Sequence, residues 1–292
     1  MRSLLGLGLF LSLLRVCAAS ETWQEKVARE QVGPFPVVGP FTGEFSFGWS
    51  NIEAASAKAT VTEHDGKLQV AVEGGTTGAA RKLWLLGAKH EVTILEKGLM
   101  PVVFHQVETY ATRTTTTDAV FKPSGLWYLR QSTAEPKPAG WKRLQAEPVR
   151  DIVSALFFIR SQALRDKDKV AVAAFPGNSP YFLEATVKGR EWVDIAGKPI
   201  KAIRLDFEIQ RIDANNRLAP YEKFRHGKVW LSDDENRIPL RAEVSIFIGY
   251  VYGEVKWLSM TPGARKLAPE KIRELQTEEG ADIMKGQFFF KP

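Results

Sequence analysis

The sequence has almost no cysteine: of its 292 residues, only Cys17 carries a thiol. Cys17 lies in an N-terminal segment with the three parts of a secretory signal, namely a positive charge at Arg2, an apolar stretch over residues 4–14 and small residues at Ala18 and Ala19. Cleavage after Ala19 leaves no cysteine in the mature chain. A disulfide and a catalytic thiolate are then excluded, and core burial must stabilise the fold.

Long apolar runs are also missing. The stretch over residues 4–14 is shorter than the roughly 20 residues that cross a bilayer, and the most apolar later stretch, residues 152–159, is shorter still. We therefore predict a signal peptide over residues 1–19 and an exported protein in the periplasm or on the periplasmic face of the outer membrane. Two alternatives stay open, an uncleaved anchor and lipidation of Cys17, although Arg15 and Val16 stand where lipoprotein signals have small residues.

A strong charge of one sign is absent. The chain has 40 Lys and Arg against 34 Asp and Glu, a formal net charge of +6. Its densest basic stretch, residues 160–169, is interrupted by Asp166 and Asp168. Nucleic-acid binding needs clustered cations, so a nucleic-acid partner is not predicted.

Catalytic and metal-binding motifs are lacking as well. The four histidines are spread along the chain: His64, His90, His105 and His226. This spacing fits no local zinc site or triad. Ser154 and Ser232 have no Gly-x-Ser-x-Gly context, and the glycines at positions 74, 75 and 78 predict a loop without the Lys of a phosphate cradle. We predict no catalytic residue, no metal ligand and no cofactor, and no ligand-binding residue can be named.

The densest acids are Asp233, Asp234 and Glu235. A cation site is one interpretation, but the ligand pattern of a calcium loop is missing. We interpret these residues as a polar hairpin turn whose side chains accept hydrogen bonds from backbone amides. Arg237 is predicted to pair with one of these acids across the turn.

What the sequence does contain is a period of two in its apolar residues, the pattern of half-buried strands. Phe45, Phe47 and Trp49 alternate with small or polar residues, and two alternating runs flank Asp65-Gly66, a strong hairpin signal. Further strands are predicted over residues 92–95, 102–110, 120–121, 126–129, 169–175, 181–188, 191–195, 203–209, 229–231, 237–240, 242–247 and 250–258.

One helix interrupts this pattern. Residues 131–148 are predicted to be a loop because of their prolines and glycine. Asp151 then suits an N-cap, and the run to Arg160 is apolar on nearly every side, as in a short helix buried against a sheet. After residue 258 a tail is predicted to start a helix at Pro269 and to end in the aromatic run 288–290.

The order of these features resembles a bacterial exported family known as domain of unknown function 3108. The resemblance covers residues 43–258. It is carried most specifically by the helix that Asp151 begins and by the Trp230-Leu231-Ser232-Asp233-Asp234 hairpin with its returning strand, residues 237–240. It implies a secreted, mostly antiparallel β protein of the envelope, and it implies no reaction.

We predict a mostly β protein, a strongly curved antiparallel sheet or open β-barrel with one short buried helix and a C-terminal helical appendage. The predicted divisions are a signal peptide (1–19), an N-terminal lead (20–42), a β domain (43–258) and a tail (259–292). Large amphipathic rings suggest an apolar cavity on a concave sheet: Trp84, Trp127, Tyr128, Trp141, Trp192, Trp230, Tyr250, Tyr252 and Trp257.

The predicted function is non-enzymatic binding of a lipid or another hydrophobic envelope ligand. Two alternatives remain: a structural or assembly factor that holds a protein partner of the envelope, and a hydrolase of an envelope polymer. An enclosed apolar pocket favours the first function, an exposed apolar patch near residues 288–290 without a pocket favours the second, and two facing carboxylates in a cleft favour the third.

Overall fold

The computed structural model of the chain describes residues 22–260 apart from residues 37, 51, 136–138, 145–147, 222–225 and 247–248. The predicted signal peptide, the predicted helix from Pro269 and the aromatic run 288–290 lie outside the described residues. Within the described part of the chain, three helices precede or interrupt the strands: α1 (Trp23–Arg29), α2 (Gly78–Leu83) and α3 (Ile152–Ser161). Among the described residues, no helix is long and apolar enough to span a membrane.

The described strands follow one another along the chain as β1 (Phe41–Trp49), β2 (Ile52–His64), β3 (Lys67–Thr76), β4 (Leu86–Leu95), β5 (Met100–Tyr110), β6 (Thr114–Lys122), β7 (Gly125–Ser132), β8 (Lys142–Leu144), β9 (Val149–Asp151), β10 (Lys169–Phe175), β11 (Tyr181–Ile195), β12 (Lys198–Ile212), β13 (Leu218–Pro220), β14 (His226–Ser232), β15 (Pro239–Ser245) and β16 (Tyr250–Met260).

These strands form one sheet in the order β8-β7-β6-β5-β4-β3-β2-β1-β16-β15-β14-β12-β11-β10-β9, with β13 beside β12. The first and last long strands, β1 and β16, are antiparallel neighbours in its centre. Neighbouring strands are antiparallel throughout except for the short parallel pair β9 and β10. The predicted mostly β, antiparallel fold is therefore confirmed.

The sheet curls until its two ends pack together. β7 is second from one end of the strand order and β10 is second from the other, yet the rings of Tyr128 (β7) and Phe175 (β10) lie 4.8 Å apart. Phe104 of β5 lies 5.8 Å from the same ring. Adjacent strands are separated by about 4.8 Å, so these contacts require a barrel-like curl. The ends meet through side chains and not through a ladder, which leaves the barrel open.

The predicted hairpin turns form as two-residue turns with positive φ. Asp65 and Gly66 have φ of 50° and 72°, and Ala196 and Gly197 have 51° and 78°. Positive φ at both central residues matches the right-handed twist of the flanking strands. The first turn sets β2 against β3 from the His64–Lys67 pair onward.

Helix α3 begins where the sequence predicts. The fully buried Asp151 is its N-cap and accepts hydrogen bonds from the amides of Val153 (2.8 Å) and Ser154 (3.2 Å). One face of the helix packs in the core against β10, with Phe158 and Ile159 in the same cluster as β10 side chains. The prediction of a helix buried against a sheet is confirmed.

Several short elements differ from the sequence predictions. Helix α1 lies in the predicted N-terminal lead and has a full capping box between Thr22 and Glu25, a pattern readable in the sequence. Strand β8 lies within the predicted loop over residues 131–148, and strand β13 forms where no strand was predicted. Gly74 and Gly75, predicted to lie in a loop, belong to β3. An added Cβ at these positions would lie only 2.3 Å and 2.4 Å from carbonyl oxygens of the neighbouring strands, so the close packing of the strands requires glycine.

Candidate functional site

An apolar cavity of about 170 Å³ lies between α3 and the inner face of the curled sheet. Its walls come from residues 38–39, β1 to β3, β16, α3 and the end of the β14–β15 turn with the first residue of β15. The lining residues are Val38, Gly39, Phe41, Phe45, Ala59, Val70, Val72, Val153, Leu156, Phe157, Arg160, Asn236, Ile238, Pro239, Leu258 and Met260.

The sheet wall follows from strand alternation. Phe41 and Phe45 of β1 lie on one face together with the residues paired to them, and Ala59 of β2 is directly opposite Val72 of β3. Alternate residues of a strand point to the same side, so each strand contributes every second side chain. Small residues on β2 leave room in front of the rings of β1.

The helix wall follows from helical spacing. Val153, Leu156, Phe157 and Arg160 line the cavity, at positions i, i+3, i+4 and i+7, which form one face of a helix. The other face packs against β10. Because α3 is apolar on nearly every side, one of its faces packs in the core and another lines the cavity.

Two polar groups reach the cavity wall. Arg160 is buried, and its Nε and Nη2 donate to the carbonyl oxygen of Asn236 at 3.1 Å and 2.7 Å. Burial lowers the pKa of Arg160 to about 10, with a smaller contribution from the nearby cation Arg237. Arg160 thus stays protonated at neutral pH and places a positive charge at the edge of an otherwise apolar space.

The β14–β15 turn is built as predicted, except for Arg237. Oδ1 of Asp234 accepts hydrogen bonds from the hydroxyl of Ser232 (2.9 Å) and from the amides of Asn236 (2.9 Å) and Arg237 (3.0 Å). The guanidinium of Arg237, predicted to pair with an acid of the turn, instead donates to backbone carbonyl groups.

These carbonyl groups belong to residues 160, 162 and 163 at the C-terminal end of α3. The guanidinium carbon also lies 3.8 Å from the ring centre of Phe35. The last carbonyls of a helix lack helical partners, and a cation is favourable there. Arg237 therefore fixes the helix end against the turn that borders the cavity.

Replacing Arg237 with Met is expected to lower the free energy of unfolding by about 2 kcal/mol or more, because buried carbonyls lose charged donors. Urea denaturation followed by circular dichroism measures this loss. Arg217→Met is the control, since the side chain of Arg217 is 74% exposed and its loss is expected to cost less than about 0.5 kcal/mol. Equal stability of the two variants would contradict the assigned role of Arg237.

The structure does not gather the histidines into a site. His64 is exposed beside Asp65, and His105 Nδ1 lies 2.7 Å from Asp118. His90, on β4, has Nε2 3.5 Å from the buried carboxylate of Asp151. Among the described residues, no three His, Cys, Asp or Glu side chains are grouped to hold a metal ion.

Sequence reasoning chose the wrong aromatic residues for the cavity. None of the nine Trp and Tyr residues named above lines it. Its rings are Phe41, Phe45 and Phe157, which sequence reasoning did not select as candidates. The available signal was the alternation of Phe with Gly and Ser along β1, which indicates one apolar face but not what that face encloses.

The apolar face of β1 continues beyond the cavity. After Phe45 come Phe47 and Trp49, and their β16 partners are Gly253 and Val251. An added Cβ at Gly253 would lie 2.9 Å from the Phe47 ring, so this ring lies across the glycine. From Phe45 to Trp49 is about 13 Å of strand, so the same face of β1 carries apolar side chains from the cavity to the end of the strand.

A solved structure with a similar fold supports the barrel-like description. A β-barrel-like protein of domain of unknown function DUF1849 from Brucella abortus superposes with a TM-score of 0.50 at 9% identity, over 77% of this chain and 99% of that chain. At this identity the likeness concerns the fold alone. Among curated proteins, none matches the sequence significantly.

Two further structures overlap less well. A candidate lipoprotein from Parabacteroides distasonis has a TM-score of 0.32 at 9% identity, over 79% of this chain and 99% of that chain. A candidate exported protein with a YmcC-like fold from Bacteroides fragilis has a TM-score of 0.30 at 8% identity, with the same coverage of 79% and 99%.

The match to a family profile covers most of the cavity lining and the elements that support it. The sequence profile described as protein of unknown function (DUF3108) matches residues 44–256. This range includes α3, the β14–β15 turn and most of β1 and β16, the features on which the sequence resemblance rests. The chain therefore belongs to the DUF3108 family.

Proposed function

We propose that this protein is an exported, non-enzymatic envelope protein that binds the apolar chain of a lipid in the cavity under α3. The observation that carries the proposal is the composition of the cavity: its lining is aliphatic and aromatic, with only Arg160 and Asn236 as polar side chains among the described residues. Sites for small hydrophobic ligands have this composition, in which a few polar groups set the orientation.

The size of the cavity defines the ligand more closely. An apolar cavity of roughly 150 Å³ holds a benzene molecule, so about 170 Å³ holds a short length of acyl chain. A whole lipid needs more space, since pockets for larger ligands span roughly 300–1,000 Å³. Phe47 and Trp49, on the same strand face as Phe45, offer apolar contacts to the remainder of the chain.

The same lining argues against the hydrolase alternative. The described residues around the cavity provide a guanidinium and an amide but no carboxylate, imidazole or hydroxyl group. General acid–base catalysis needs a titratable group within hydrogen-bond reach of the substrate. Binding is the function that this composition supports.

Native mass spectrometry of the protein purified from a periplasmic extract, followed by solvent extraction, tests the proposal. We expect an added mass that extracts as lipid, and after delipidation we expect saturable binding of a dansyl-labelled fatty acid. A clean unliganded mass together with no saturable binding would overturn the proposal. A copurifying polypeptide in place of lipid would favour the assembly-factor alternative.

A further inference from the structure

One end of the sheet carries most of the exposed large hydrophobic side chains. Six of the ten such side chains among the described residues lie there, and we call them the apolar rim: Phe47, Trp49, Ile52, Leu83, Trp84 and Val251. Single exposed hydrophobic residues are normal on soluble proteins, but a concentration of them indicates a partner or a membrane.

Strand register brings the rim together. Trp49 pairs with Ile52 across the β1–β2 turn and with Val251 at the start of β16. Helix α2 begins at the same end, because the amide of Thr77 donates to the carbonyl of Ala54 at 2.9 Å. Leu83 at the end of this helix is 90% exposed.

The charge of the rim has one sign. Residues 49–52, 78–84 and 249–251 contain two cations, Arg81 and Lys82, and no acid. The first acid after the β1–β2 turn, Glu53, is paired with Lys256 at 2.8 Å. The projecting segments therefore combine exposed apolar groups with a positive charge.

We infer that the apolar rim docks onto an anionic lipid bilayer. Trp side chains favour the membrane interface, where their apolar body and polar N–H are both accommodated. Cations next to apolar side chains add electrostatic attraction to anionic headgroups. This docking surface is a separate property from ligand binding and does not depend on what the cavity holds.

A bilayer fits the rim better than a second copy of the chain. A two-fold interface places the same patch of each copy against the other, and Arg81 and Lys82 would then face their own counterparts. The rim also consists of turns and a short helix at the end of the sheet, with Leu83 and Ile52 projecting, which suits insertion between headgroups.

The apolar face of β1 adds a functional reason for this placement, and this point rests on the proposed function. Phe45 lines the cavity, and Phe47 and Trp49 on the same strand face belong to the rim, so docking places the end of this apolar face at the bilayer.

Flotation with lipid vesicles tests the docking surface. The protein purified from the cell envelope fraction is expected to float with vesicles of phosphatidylethanolamine and phosphatidylglycerol, and less with phosphatidylcholine vesicles. Raised salt should weaken the binding without abolishing it. The double substitution Leu83→Ser with Trp84→Ser should lower the partition coefficient by about a hundredfold, since each inserted apolar side chain contributes about tenfold.

Trp192→Ser is the matched control. Trp192 is 70% exposed near the β11–β12 turn, at the opposite end of the sheet, and its loss should leave vesicle binding unchanged. Circular dichroism confirms that all variants are folded, and sedimentation gives their oligomeric state. Failure of the wild type to float, equal binding by the double variant, or a dimer that the double variant dissociates would each overturn the inference.

Discussion

Ala59→Phe is expected to weaken the binding of a dansyl-labelled fatty acid by about tenfold or more, while the protein stays folded. Ala59 lies on β2 opposite Val72, and both line the cavity. A benzyl group there occupies much of a space of about 170 Å³. The ring and the ligand compete for one volume, because apolar interiors are packed with few voids.

Ala59→Phe should lower the free energy of unfolding by less than the insertion of a larger side chain into a filled core usually does. Overpacking typically costs about 1–3 kcal/mol, but here the added ring enters existing empty space. Fluorescence titration measures the affinity and urea denaturation measures the stability. If Ala59→Phe does not fold, Leu156→Trp narrows the same cavity from the helix wall.

Ala71→Phe is the control for this experiment. Ala71 is on β3 between Val70 and Val72, so its side chain points to the other face of the sheet, opposite Thr60. The same substitution there adds the same ring without entering the cavity. Equal affinity of Ala59→Phe and the wild type would show that the cavity is not the binding site, and equal losses in both variants would point to a general effect of the bulky ring.

Asp151→Ala should be among the most destabilising single substitutions in the chain, with a loss of about 3 kcal/mol or more. The carboxylate is fully buried and caps α3 through two backbone amides. Losing an N-cap costs about 0.5–2 kcal/mol. The carboxylate also lies 3.5 Å from His90 and stabilises the charge of the buried Arg150, and breaking such buried pairs adds to the cost.

Asp151→Asn separates the two contributions. Asn caps a helix about as well as Asp but carries no charge, so its cost measures the buried electrostatic part alone. Adding Arg150→Met to each variant gives a double-mutant cycle for the Arg150–Asp151 interaction. If Asp151→Ala and Asp151→Asn are equally stable and both close to the wild type, the carboxylate does not organise α3.

Features that depend on neighbours in sequence were predictable. The turn at Asp65-Gly66 follows from the preference of these residues for positive φ, and the start of α3 follows from the carboxylate of Asp151. The capping box of Thr22 and Glu25 is also a local pattern, but helix α1 was not predicted from it. This helix has only seven residues and lies in a region without a long periodic pattern.

Features that depend on the curl of the sheet were not predictable. Arg237 is next to the acids of its own turn, and local reasoning pairs it with them. Its actual partners are the carbonyls at the end of α3, more than 70 positions away in the chain. Curling of the sheet brings these two regions together, and the helix end offers buried acceptors that the exposed turn does not.

The sequence by itself determined the class of fold, the approximate positions of most long strands and the start of the buried helix α3, because a period of two and an N-cap are local properties of the chain. Only the tertiary structure decided that a cavity exists, that Phe41, Phe45 and Phe157 line it, and that one end of the sheet gathers the apolar rim. Alternation shows which side chains share a face of a strand. Whether that face is filled, empty or exposed depends on how distant strands close over it.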